Sequence, residues 1–189
     1  MKAKIKIVKT LNLVLDDGEV VNAQFLGKGT FAQAYQADKD VYVLVKDCFM
    51  KESIALFADK IPHVPDIEHL GNLDSGVQVY KMPFYEKLRK THAEAWSHYR
   101  AIMVVRDEMN RERPRGLQED LRDTVERLKG RVPDALVRAL ETIIEASLNY
   151  GETMLDLGPR NLAVDSDGRL ILLDILFQPE VLKQKQRAG

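Results

Sequence analysis

Cysteine is almost absent from this sequence: Cys48 is the one example in 189 residues. A lone cysteine excludes an internal disulfide and a cysteine-rich zinc site, and it suits a reducing cytosol. Histidine is scarce too, and His63, His69, His92 and His98 show no H-E-x-x-H or comparable zinc spacing. No G-x-S-x-G occurs, so a serine-hydrolase elbow has no support. Neither sign of charge is in excess, with 28 Lys and Arg against 29 Asp and Glu. A chain that neutralises many nucleic-acid phosphates is usually basic, so no nucleic-acid partner is expected. No apolar run reaches the roughly 18–20 residues that span a bilayer. The opening "MKAKIKIVKT" alternates Lys with Ile, Ala and Val and lacks the apolar core of a signal peptide. The expectation is a soluble, cytoplasmic protein with no membrane partner. Internal repeats and low-complexity segments are also missing.

What is present is an ordinary globular balance, 45% apolar and 30% charged, which argues against disorder over most of the chain. The length suits one core or two small lobes sharing a cleft. The first 85 residues read as β-rich. "KIKIVKT", "LNLVL", "VVNAQFLG", "DVYVLVKD" and "VQVYKMPFYEKL" are strand candidates, the last ending near Pro83, and "DDGE" at Asp16–Glu19 is a turn signal. "KESIALFADK" carries Ile54, Phe57 and Ala58 in a short helical stripe.

Three longer helices follow. Thr91 and Glu94 have capping-box spacing, before Trp96, Tyr99, Ile102 and Met103. "RERPRG" breaks that helix and is either a solvated turn or a docking surface. Leu117, Leu121, Val125 and Leu128 mark the next helix. Pro133 opens the last one, which continues through Leu136, Leu140, Ile143, Ile144 and Leu148 to a stop near Gly151. "NLAV", "DSDG" and "RLILLD" then form a hairpin. "DSDG" lacks the third acidic position and terminal Glu of a calcium loop. The tail "KQKQRAG" is polar.

Chemistry is suggested by an ordered set of residues. "LGKGTFAQAY" places Gly27 and Gly29 around one residue, either as a plain glycine hairpin or as a loop whose backbone approaches phosphate oxygens. Lys46 closes the apolar run "VYVLVK". It either snorkels into water or meets the α- and β-phosphates of a nucleotide, with Glu52 as the first candidate to hold it. Asp156 and Asn161 stand five residues apart, and Asp174 thirteen further on, across the hairpin. They are either loop caps and turn residues or a built site. In the second case Asp156 orients an attacking hydroxyl, while Asn161 and Asp174 bind magnesium through side-chain oxygens.

These motifs resemble the protein-kinase-like superfamily. "LGKGTFAQA" is similar to its glycine loop, with Ala32 at the third glycine, and "VLVK" to the strand bearing its nucleotide lysine. "DLGPRN" resembles its catalytic loop, and "LLDIL" stands where its metal-binding Asp segment is expected. "YKMPFYEKL" resembles its inter-lobe linker. Within the superfamily the chain is most similar to the early serine/threonine protein kinases of T7-like bacteriophages, with compact bacterial effector kinases a second relative.

The resemblance implies an α+β, minimal two-lobed protein-kinase-like fold. Residues 1–85 would form a β-rich N-lobe and residues 86–189 a reduced helical C-lobe with the catalytic-loop hairpin. It implies ATP and Mg²⁺ as cofactors and host proteins as substrates. Gly27, Lys28, Gly29, Lys46, Glu52, Met82 and Phe84 would serve the nucleotide, backbone groups of Met82 to Tyr85 meeting an adenine. Asp156, Lys46 and Asn161 would be catalytic, and Asn161 and Asp174 would hold the metal.

Departures qualify the match. Met154 and Leu155 replace the usual His-Arg, Gly158 replaces the loop lysine, and Ile175 and Leu176 follow Asp174 in place of Phe-Gly. Fifteen residues follow Asp174, so an activation segment, its phosphorylation and a full peptide-binding lobe are not expected. A catalytically weak or inactive kinase-like protein that inhibits a host factor, and a small-molecule phosphotransferase, are the alternatives.

Overall fold

A computed structural model describes residues 9–15, 18–29, 31–46, 50–57, 61–112, 117–148 and 153–180. The architecture is α+β. The expected strand over Lys4–Val8, the Asp16–Asp17 turn positions, the break at 113–116, Gly151 and the tail from 181 lie outside the described residues. The chain divides into two compact units, Met1–Phe49 with Ile67–Phe84, and Met50–Asp66 with Tyr85–Gly189.

Alternation builds the first unit. Its six strands are β1 (Thr10–Val14), β2 (Val20–Lys28), β3 (Ala32–Ala37), β4 (Asp40–Val45), β5 (Glu68–Asn72) and β6 (Gln78–Pro83). They form one antiparallel sheet in the order β1-β2-β3-β4-β6-β5. Every second residue of β2 points inward, so Val21 and Ala23 join Leu13, Tyr35, Tyr42, Leu44 and Val79 in one core. Phe25 packs edge-on against Tyr35 at 5.6 Å between ring centroids. β4 is buried on both faces, as its unbroken apolar run implies. The sequence pattern does not mark β5. It lacks alternation, and its register shifts between His69 and Gly71, where Gly71 takes φ +136°.

The second unit holds helices α1 (Met50–Phe57), α2 (Ala93–Glu112), α3 (Leu117–Leu128) and α4 (Asp134–Ser147). It also holds the short strands β7 (Glu86–Lys87), β8 (Met154–Leu155), β9 (Leu162–Val164), β10 (Leu170–Leu172) and β11 (Leu176–Phe177). Ile102, Val105, Leu121, Val125, Leu128, Leu136, Leu140 and Ile143 are buried from the three long helices. Leu148 falls beyond α4 and is exposed.

Two expected helix starts are corrected. The first helical bond of α2 runs from Trp96 N–H to His92 C=O, so His92, not Thr91, occupies the cap and the Thr91–Glu94 spacing forms no capping box. Pro133, with ψ 142°, caps α4 from outside rather than opening it, and Asp134 is the first helical residue.

Residues 50–66 group with the second unit, whereas the sequence division put them in the first. His63 supplies a physical reason. Its ring Nδ1 donates to Leu170 C=O at 2.7 Å, and its own C=O accepts from Leu172 N–H at 2.9 Å. The buried ring thus staples the segment after α1 to β10, at a residue held at φ +72°. Burial is the main effect lowering the His63 pKa, with His98 and Arg169 lowering it further and the Leu170 carbonyl and Asp165 opposing. The folded state therefore favours neutral His63, so this stabilisation is complete above about pH 6.5 and is lost as pH falls through the window below. His63→Ala should cost about 1–3 kcal/mol by stranding the Leu170 carbonyl. In urea melts between pH 8 and 5, the gap between wild type and variant should narrow as pH falls. A constant gap would mean that His63 does not titrate in this range.

Candidate functional site

Asp156, Asn161 and Asp174 are brought together within the second unit by backbone bonds. The Asn161 carbonyl accepts from Leu173 N–H at 3.0 Å and from Asp174 N–H at 3.3 Å. Asp156 N–H donates to Ile175 C=O at 2.7 Å, continuing the ladder in which Leu155 faces Leu176. The twelve residues between Asn161 and Asp174 are consumed by the β9–β10 hairpin, where Leu170 pairs with Val164 and Leu172 with Leu162. Asp165 closes its turn by accepting from Asp167 and Arg169 N–H groups, with Gly168 at φ +83°.

The side chains are arranged by the same loop. Asn161 Nδ2 donates to Asp156 C=O at 2.9 Å. Among the described residues its Oδ1 has no donor. Asp156 accepts from Gly158 N–H at 3.2 Å and from Arg160 at 3.0 Å. Burial raises the Asp156 pKa. The Arg160 hydrogen bond, the Gly158 amide and the Asn161 amide outweigh it, so the carboxyl lies below its usual range. The Asp174 carboxylate is exposed and has Lys51 Nζ 3.7 Å from its Oδ1.

Asn161 Oδ1 and the Asp174 carboxylate are hard oxygen donors, the type that magnesium takes in small number beside substrate phosphates. That donor set fits such a metal. Among the described residues no three His, Cys, Asp or Glu side chains converge on a metal position.

The remaining candidates are placed as follows. Gly27 lies in β2 opposite Ala34, just past a register shift after Phe25, and Lys28 is exposed opposite Gln33. Gly29 N–H donates to Ala32 C=O at 2.8 Å, and half-buried Lys46 donates its N–H to Phe31 C=O at 3.0 Å. Gly27 and Gly29 have no positive φ, and a Cβ on Gly27 would meet nothing within 4 Å. Fold geometry therefore does not demand glycine at 27. Met82 is half-buried in β6 and Phe84 is exposed. The Phe84 N–H donates to Lys39 C=O at 2.7 Å, so this group of the expected adenine contact is already engaged. Glu52 sits half-buried in the first turn of α1, in the second unit, while Lys46 belongs to the first.

Sequence reasoning missed Arg160 and Lys51. Lys51 had a signal: it precedes Ile54 by one helical turn, which puts a lysine on the apolar face of α1. No protein-family model matches the chain, and no curated protein matches it. Among the described residues no helix is long and apolar enough to cross a membrane.

The lowered Asp156 pKa carries a stability prediction. The folded state binds the Asp156 proton less readily than the unfolded chain, so stability from this group is full above about pH 4 and is lost as pH falls below it. Asp156→Asn should be less stable than wild type at pH 7, with the difference shrinking in melts toward pH 3. An unchanged difference would mean that the Arg160 and Gly158 contacts do not favour the ionised form.

Proposed function

We propose that the protein is a minimal ATP-dependent serine/threonine protein kinase. In this reading it is a bacteriophage early protein that modifies host proteins in the bacterial cytoplasm, and its two units correspond to the lobes of a reduced protein-kinase-like fold. The observation that carries the reading is the convergence of Asp156, Asn161 and Asp174 on mutually bonded backbone segments. Asp156, kept ionised, accepts a hydrogen bond from the substrate hydroxyl and orients its oxygen. Asn161 and Asp174 would hold magnesium, which when bound neutralises charge on the β- and γ-phosphates.

The first unit would contribute Gly27, Lys28 and Gly29 over the phosphates, Lys46 on them, and Met82 and Phe84 beside the base. Glu52 would position Lys46. The new bond joins the hydroxyl oxygen to the γ-phosphorus, the bond to the β–γ bridging oxygen breaks, and ADP leaves. A carboxylate of low pKa is a weak base, so Asp156 acts mainly by orientation and takes the hydroxyl proton late.

A second reading is a kinase-derived protein that inhibits a host factor by contact. It is favoured by the cations that the chain itself sets on both carboxylates, Arg160 on Asp156 at 3.0 Å and Lys51 on Asp174 at 3.7 Å. Gly158, where the resemblance leads one to expect a lysine, points the same way.

Incubation with γ-labelled ATP and Mg²⁺, alone and with bacterial lysate, tests the choice. Label in protein should fall on the order of 100-fold in Asp174→Ala. ATP binding without label would favour the inhibitor, and label in small alcohols but not protein would indicate a small-molecule phosphotransferase. Gly27→Ala separates the two readings of the glycine pair. It should leave stability unchanged or raise it by up to about 1 kcal/mol, while ATP affinity falls about tenfold because the new methyl blocks close approach of phosphate. Unchanged ATP affinity would make Gly27 a feature of a plain hairpin.

A further inference from the structure

Lys51 has a buried stem and a head that approaches Asp174. Its side chain is 9% exposed, against 56% for Asp174, and the 3.7 Å between Nζ and Oδ1 is too long for a hydrogen bond. An ammonium carries three donors. Among the described residues none of them has a hydrogen-bond acceptor. α1 therefore delivers a positive charge to the Asp174 carboxylate, which in the reading above holds a metal together with Asn161. A phosphate oxygen is the ligand this pairing suits: it takes a hydrogen bond from the ammonium while its metal takes the carboxylate.

We propose that Lys51 is the phosphate-contacting cation of the second unit and that it occupies Asp174 in place of a metal until a nucleotide arrives. The inference rests on the kinase reading above. On binding, Asp174 exchanges Lys51 for the metal, and the Lys51 ammonium donates to a β- or γ-phosphate oxygen. No bond is made or broken in this exchange.

The exchange has a reciprocal signature that a packing role would not give. Lys51→Met keeps the length of the buried stem and removes the charge. Mn²⁺ alone should bind Lys51→Met about threefold more tightly than wild type, because the competing cation is gone. ATP should bind about tenfold more weakly, because one charge-assisted hydrogen bond is lost. Adenosine affinity should not change, and Lys51→Arg should restore ATP affinity. Mn²⁺ affinity is read by electron spin resonance, nucleotide affinity by calorimetry, and folding by thermal melting, with Lys51→Gln as a second variant if Lys51→Met does not fold.

Weaker binding of Mn²⁺ and ATP together would make Lys51 structural and overturn the proposal, as would ATP affinity equal to wild type. If wild type binds ATP and Asp174→Ala loses Mn²⁺ while both Lys51 variants behave as wild type, the Lys51 proposal alone fails. If wild type binds no ATP, the kinase reading fails and this proposal with it.

Discussion

The carbonyl of Asn161 receives two N–H groups, those of Leu173 and Asp174. That junction makes a site out of residues distant in sequence. A functional group must be held within about half an ångström to act on a ligand. Long side chains do this poorly, because they lose rotamer entropy each time they are fixed. Here the backbone does it. The junction sets the return of the β9–β10 hairpin, and the bond from Asp156 N–H to Ile175 C=O sets the other side. Asn161 Nδ2 on Asp156 C=O then fixes the orientation of the amide. Loss of the junction would move Asp174 relative to both other residues at once.

Two carboxylates carried on joined backbone segments bring charge that has to be balanced. The chain does so with Arg160 on Asp156 and Lys51 on Asp174. The two cations differ in kind. Arg160 is largely exposed and lies on the turn Pro159–Asn161, so its pairing is local and weakened by water. Lys51 comes from a different helix with its stem covered, so its position is set by packing rather than by attraction to Asp174. A cation placed by packing stays close when the carboxylate finds another partner. The same pair of contacts therefore suits an enzyme whose cations attend the ligand and a binding protein whose carboxylates are never needed.

Much of this was visible in the sequence, for reasons that are local. β2 alternates, β4 is a short apolar run rich in β-branched residues, and Gly168 and Gly18 adopt the positive φ that their turn positions suggested. The spacing from Asn161 to Asp174 could be read because a tight hairpin converts thirteen residues into adjacency. What stayed hidden depends on partners far along the chain. β5 has too few strand-forming residues to announce itself, and pairing with β6 makes it a strand. His63 reads as any histidine until its ring meets Leu170, more than a hundred residues on. Lys51 reads as an ordinary helix lysine until the fold sets it against Asp174, more than a hundred residues on. Thr91 has the right spacing for a cap but lies one residue outside the helix start that His92 defines.

The ties described for Asp156, Asn161 and Asp174 all lie inside the second unit, and none needs a residue of the first. In the proposed reading, orientation of a substrate hydroxyl and placement of metal donors would thus fall to one compact unit with its own buried residues. The first unit has a separate core and presents Gly27 with open space where a side chain would stand. A glycine within a strand costs backbone entropy that alanine would not. Since neither a positive φ nor a close neighbour requires glycine at 27, the cost has no counterpart inside the fold. In the proposed reading the counterpart would lie outside it, in a phosphate that comes close to the β2 backbone. Gly29 differs, because its N–H already closes the turn on Ala32.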